Sequence, residues 1–425
     1  MKRVLLACVI VLAGCDCGGV GDTCPASANL GTVDVMVAGD TTGGVEVVLT
    51  AADGSTTTIT AAGPVQAPAG MATVVAHRTR TSGPIVGTAY EATLDPAALC
   101  ITAGDTTPLT ITVAPDEASN RLWVTDLPVF ALAAADLGAT GAPAPAASLT
   151  GSLTNPSGAA FGPDGNLWMT DAGRIIAFAN ADLGAGGAAA PAIVLDGPGI
   201  DDGSLPGVVD LAFDEDGALW VAHLAGDRVM RFDPADLAAS GQPTPTVTVS
   251  GPDTTGAATL AFDEAENLWV AGDSEAFAMF AYARLGADVT GAADVLVTGQ
   301  SPGPVVGPLG APSSLAFDAD GNLWAAHFGG NVVARYTPAD LAATGVVEPA
   351  IQVIVPVDVI LDDIAIDEAG GIWLTGAMGD VDRLSPAQLG ASGNATPDTI
   401  LMPTGLGYAS SLVFYPPSAA LPLAF

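Results

Sequence analysis

"LAFDADGNLWAAH", residues 315–327, decides the fold because the chain writes it repeatedly. It returns as "AAFGPDGNLWMTD" (159–171), "LAFDEDGALWVAH" (211–223), "LAFDEAENLWVAG" (260–272) and "IAIDEAGGIWLTG" (364–376). All six tryptophans, Trp123, Trp168, Trp220, Trp269, Trp324 and Trp373, stand at the same repeat position, 45 to 55 residues apart. That period is the length of one four-stranded propeller blade. In residues 210–251 the four strands read "DLAFD", "LWVAH", "RVMRF" and "PTVTVSG". The Asp-Gly turn after the first strand suits a hairpin with glycine in the left-handed region. "DPADLAASG" (233–241) reads as a short helix, with Asp233 as its cap, Pro234 in its first turn and Gly241 at its end.

The residue types have packing reasons. Trp supplies a broad apolar face between neighbouring blades. Leu and Phe of "LAF" share one side of the first strand, and Ala212, Ala261, Ala316 and Ala365 take the other, where sheets must converge. One blade cannot bury both its faces, whereas a ring of copies can. The first Trp unit lacks its own "LAF" strand, but the chain finishes with "YASSLVFYPP" (408–417). The C-terminal strand is therefore expected to complete the first blade and hide two sheet edges. The reading is all-β: a six-bladed β-propeller over 116–425, closed by a C-terminal strand and preceded by a small β-sandwich at 31–115. The sandwich is read from short strands such as "TVDVMV", "MATVVAHR" and "PLTITVA", and it resembles prealbumin-like or immunoglobulin-like spacers.

Charge narrows the partners. There are 46 acidic residues against 11 basic ones, a net charge of −35, and the only lysine is Lys2. Such a chain repels phosphate backbones, so nucleic acid is excluded as a partner. The N-terminus pairs Lys2 and Arg3 with an apolar run too short to serve as a permanent span. That run ends in "LAGC", Leu12 to Cys15, which resembles the lipobox of bacterial lipoproteins. The resemblance implies a signal peptide at 1–14, lipid on Cys15, a flexible tether at 15–30 and an extracytoplasmic, membrane-anchored protein facing the periplasm or the cell surface. A plain secretory signal is the alternative. Of the remaining cysteines the reading pairs Cys24 with Cys100, with Cys17–Cys24 left open.

The repeats resemble NHL-repeat propellers. "GPDGNLWMTD" (162–171) is similar to the units of streptogramin lyases, and "FDADGNLWAA" to the regucalcin-type SMP-30/gluconolactonase-like propellers. The lactonase resemblance implies metal ligands just before the first strands. Ser157, Val209, Ala258, Ser313, Asp362 and Ser410 stand there, and only Asp362 could bind a cation. That departure points away from the inherited site.

Candidate chemistry gathers at the mouth. Asp210 and Asp363 share one inner-strand position in blades three and six, opposite each other across the axis, with Asp362, Asp201 and Asp202 on the same rim. Such a ring could hold calcium or a basic ligand, set against ordinary solvated acids. His223 and His327 end the second strands of blades three and five, where the sister residues are Asp126, Asp171, Gly272 and Gly376. A ligand role is set there against a loop-orienting hydrogen bond. Two long loops, 196–209 and 299–313, precede first strands and are expected at the mouth. The expectation is a monomeric, lipid-anchored binding scaffold for an envelope protein, glycan or peptide, with no assigned catalytic residue and calcium as the one candidate cofactor. A metal-dependent hydrolase or lyase is the alternative.

Overall fold

The computed structural model describes residues 24, 26–184, 186–204, 207–300, 309–327, 330–356, 361–375 and 379–418. The signal peptide, Cys15, Cys17 and the middle of the 299–313 loop lie outside the described residues. Among those described, no helix is long and apolar enough to cross a membrane. The chain divides into two compact units, one ending at Ser119 and the other comprising Gly83–Gly87 and Asn120 onward.

The first unit is a single curled sheet around one core. Its strand order is Thr56–Ile59, Val47–Thr50, Gly63–Ala76, Ser27–Gly39, Thr106–Pro115, Thr88–Asp95 and Thr79–Thr81, with Ala98–Ile101 also on Gly63–Ala76. The first strand starts at Ser27, inside the stretch read as tether. Gly63–Ala76 holds the layers together as one sheet. Its first half pairs with Ser27–Gly39, and its second half with Val47–Thr50. Gly70 stands near the changeover at φ +135°, and a Cβ there would lie 2.7 Å from that of Ala52. Val33, Leu49, Ile101, Leu109 and Ile111 fill the core. Cys24 and Cys100 are bonded across 76 residues, a closure that stabilises by roughly 4 kcal/mol in the chain-entropy account.

The second unit is a six-bladed propeller. Blade two runs Pro156–Phe161, Leu167–Asp171, Arg174–Phe178 and Ile193–Leu195. Blade three runs Val208–Phe213, Leu219–His223, Arg228–Phe232 and Val247–Ser250. Blades four, five and six begin with Thr259–Phe262, Pro312–Phe317 and Ile364–Ile366. Blade one takes Arg121–Thr125, Val129–Ala133 and Ala147–Leu149 from its own segment and Ser411–Tyr415 from the far end of the chain. Ser411–Tyr415 runs antiparallel to Arg121–Thr125, with Leu412 opposite Val124.

The repeated phrase joins each blade to the next. Trp123, Trp168, Trp220 and Trp269 set their rings about the Phe of the following first strand, at 6.2 Å from Phe161, 6.0 Å from Phe213, 5.8 Å from Phe262 and 5.9 Å from Phe317. Trp373 meets Phe414 of the C-terminal strand in the same way at 6.3 Å. Blade six has Ile366 in place of Phe, and Trp324 packs in its cluster. Each aromatic contact is worth about 1 kcal/mol beyond the area it buries.

The Asp of the phrase does two jobs. One oxygen of Asp214, Asp263, Asp318 and Asp367 takes the turn N–H four residues on. The other accepts the indole N–H of Trp220, Trp269, Trp324 or Trp373 at 2.8 to 3.0 Å. These acids are therefore bound into the hairpin. The "DPADLAASG" segment forms turns, not the expected helix, closed by bonds from Asp236 to Asp233 and from Leu237 to Pro234. Asp233 does not cap it, because its carboxylate is taken by Arg231.

Candidate functional site

First strands start, and second strands end, at one end of the propeller, the mouth. The inner-strand residue there is Gly158, Asp210, Thr259, Ser314, Asp363 or Ser411 in successive blades. The two carboxylates tie neighbouring strands together. Asp210 accepts the N–H of Leu211 (2.8 Å) and, from blade four, that of Leu260 (3.0 Å). Asp363 accepts the N–H of Ile364 (2.8 Å), the Ser314 hydroxyl of blade five (2.6 Å) and the N–H of Leu412 (2.7 Å). Burial raises both carboxyls above the usual range. Asp210 is pushed up to about 7, with the charge of Asp363 as the second cause. The two expected partners are thus coupled across the axis, and each spends most of its acceptor capacity on the blades.

Asp362 differs. It is half-buried beside Asp363, and its carboxylate has no hydrogen-bond donor among the described residues, although its N–H reaches the Thr375 hydroxyl (3.1 Å). Burial, then the charge of Asp363, pushes it up to about 6.

The residues that end the second strands have different partners. Asp171 accepts the N–H groups of Thr154 (2.8 Å) and Asn155 (2.6 Å) from the loop ahead of its own first strand. Asp126 holds Gly407 (2.6 Å) and Tyr408 (3.1 Å) in the corresponding loop. His327 does the same work as a donor, with Nδ1 3.0 Å from the Gly310 carbonyl. That fixes its tautomer, so Nε2 accepts the Tyr336 hydroxyl at 3.3 Å. Burial pushes His327 down to about 4. It is a neutral structural residue, apart from His223 and the acids.

His223 breaks the pattern. Its Nδ1 accepts the Gly226 N–H at 3.0 Å, in the hairpin that follows. The neutral ring then carries its proton on Nε2. Nε2 is buried without a hydrogen-bond partner, 3.8 Å from Asp201 and 3.9 Å from Asp202 of the 196–209 loop. Burial, then the nearby Arg228, holds the ring below its ordinary pKa. Bonds from both the N–H and the hydroxyl of Ser204, with the Arg228 guanidinium at 3.0 Å, hold Asp202 well below the usual carboxylate range. One ligand atom from each of Asp201, Asp202 and His223 lies within 4.8 Å of the others, close enough for the group to hold a metal ion. The structure therefore brings three of the expected residues together and leaves His327 out.

A groove of about 360 Å³ opens at the opposite, turn end, lined by Asp214, Asp216, Trp220, Arg231, Glu266 and Tyr282 among others. Glu266 is pushed up to about 7 by burial, by a hydrogen bond with Glu215, and by the charges of Glu215, Asp216 and Asp214. The sequence reading passed over this cluster. Its one signal was a Glu where sister turns place Gly165, Gly217, Gly321 and Gly370.

Residues 210–357 match the family described as the SMP-30/gluconolactonase/LRE-like region. No curated protein matches the chain. Among solved structures, the chain is similar to selenomethionine-substituted virginiamycin B lyase from Staphylococcus aureus, at 15% identity over 56% of this chain and 69% of that one, with a TM-score of 0.38. A streptogramin B lyase is 13% identical over 64% of this chain and 72% of that one, with a TM-score of 0.39. A protein of unknown function from Bacteroides caccae is 10% identical over 69% and 97%, with a TM-score of 0.48.

Proposed function

We propose that this chain is a lipid-anchored, extracytoplasmic propeller whose mouth binds a cationic ligand, a basic protein segment, peptide or glycan, without transforming it. The observation that carries the reading is the carboxylate of Asp362, half-buried at the mouth beside a second acid and without a donor among the described residues. A positive group placed there relieves two like charges at once. The carboxyls of Asp210 and Asp363 line the floor beside it, held in place by their bonds to neighbouring strands, and burial delays their ionisation so that the floor becomes fully negative only as pH rises. Calcium is the metal form of the same reading, with Asp362 as the carboxylate ligand and hydroxyl or carbonyl oxygens completing the shell.

The family match over residues 210–357 favours a second reading, hydrolysis of a lactone or related ester with a divalent metal. It needs several oxygen ligands at positions where Asp362 is the one carboxylate.

The test is binding of a lysine-rich peptide and of its acidic counterpart at rising salt, with and without calcium, to the wild type and to Asp362→Asn. The reading expects the basic peptide alone to bind, more weakly in the variant. Equal binding of both peptides, or none, would overturn it, and calcium-dependent turnover of lactones would put the second reading in its place. The anchor is tested by labelled palmitate, which should mark the wild type and not Cys15→Ser.

A further inference from the structure

We propose that Asp201, Asp202 and His223 form a binding site for a borderline divalent metal of the zinc class, one that clamps the long 196–209 loop to the second strand of blade three. The reading does not rest on the axial acids.

Three observations converge. The first is the exception within the repeat. Asp126, Asp171 and His327 each spend a side chain on holding the loop ahead of a first strand, and at this position in blade three no such bond forms. The second is the buried Nε2 of His223, which faces both carboxylates at distances too long for a hydrogen bond. A buried polar atom with no partner costs free energy, and an ion between the three groups removes that cost. The third is preorganisation. Asp201 accepts the N–H of Gly203 at 2.9 Å, Asp202 accepts the N–H of Ser204 at 3.0 Å, and these turns aim the acids before any ion arrives. Gly173 and Gly207 border the Asp201 carboxylate, and a Cβ on Gly173 would fall 2.0 Å from Oδ2, so no side chain can intrude from there.

The donor set selects the metal. Calcium and magnesium prefer shells built from oxygen. One imidazole with two carboxylates suits zinc and its neighbours in the first transition row, and three protein ligands leave a position open for water. Ligation has a local consequence. The metal takes the lone pair that Nε2 gains when the ring proton moves to Nδ1, and the Gly226 N–H then loses its acceptor. Gly226 is half-exposed, so water can replace that bond. The Arg228 guanidinium, 3.0 Å from Asp202, is the cation that a metal must displace or tolerate.

The test uses the full chain in detergent, stripped with EDTA and titrated calorimetrically with zinc, calcium and magnesium chlorides in about 0.5 M salt, where surface attraction is screened. One saturable zinc site is expected, with no comparable calcium or magnesium site. Asp202→Asn, an exposed change that should fold as the wild type does, and His223→Gln should each weaken zinc roughly tenfold or more. Arg228→Gln should tighten it. The absence of a saturable zinc site, equal binding of calcium, or zinc binding unchanged in both Asp202→Asn and His223→Gln would each overturn the proposal.

Discussion

At the turn end of the propeller, four blades place the same carboxylate under the same indole, from Asp214 and Trp220 to Asp367 and Trp373. At the mouth, the residue that ends the second strand is Asp126, Asp171, His223 or His327, and each has different partners. The contrast follows from what each position touches. A turn-end carboxylate meets its own blade, and the indole beside it meets the first strand of the next blade, surroundings that the repeat copies, so a single solution serves four times. A mouth side chain meets a loop whose length and composition change from blade to blade. His223 and His327 make the sharpest pair, since the repeat gives them one address and the loops give them opposite surroundings.

The largest effect should come from breaking that pair. His327→Ala removes a fully buried ring that bonds both Gly310 and Tyr336 and packs with Phe277 at 5.9 Å. The cavity and the stranded Tyr336 hydroxyl should cost about 3 kcal/mol. His223→Ala should cost roughly half as much, since its one hydrogen bond goes to a half-exposed glycine. Urea unfolding of the two variants decides it, and equal losses would mean that the two histidines serve the fold alike.

The architecture was legible in "LAFD" and "LW" because burial repeats with the strand period, and the Trp spacing supplied the blade length. The double role of the turn Asp was not legible, since a sequence shows a turn residue without the indole folded beneath it. At the site, the union of Asp201 and Asp202 with His223 depends on how the 196–209 loop turns back, which no local pattern encodes. The exclusion of His327 depends on Tyr336, which stands opposite Leu323 on the adjacent strand and still brings its hydroxyl to the ring.

A smaller effect concerns charge at the mouth. A carboxyl whose pKa is higher folded than unfolded binds its proton more tightly in the native state. Its contribution is present at low pH and is lost as pH rises through the folded value. Asp210 at about 7 and Asp362 at about 6 set a window from about pH 4 to 7 in which stability falls as pH rises. His327, pushed down to about 4, works in the opposite sense, losing stability as pH falls from about 6.5 to 4. The acids are the more numerous, so the melting temperature should be higher at pH 5 than at pH 8. Asp210→Asn should shrink that difference, and His327→Asn should enlarge it. Thermal melts across the range test both signs, and a melting temperature that climbs steadily to pH 8 would contradict the assignment.

The smallest change tests the uniform end through its own exception. Four sister turns carry glycine at φ between 75° and 80°, and blade four carries Glu266 at φ +58°. A side chain in the left-handed region costs about 1 kcal/mol, and Glu266→Gly should recover most of it, less what glycine loses in ordering the unfolded chain. The same change removes a carboxyl crowded by Glu215, Asp216 and Asp214, whose repulsion is full only above its raised pKa. The gain in urea midpoint should therefore be larger at pH 8 than at pH 5. A gain equal at both values would assign the whole effect to the backbone. A loss at both would show that Glu266 stabilises the groove it lines, and that the turn end is less uniform than the repeat makes it look.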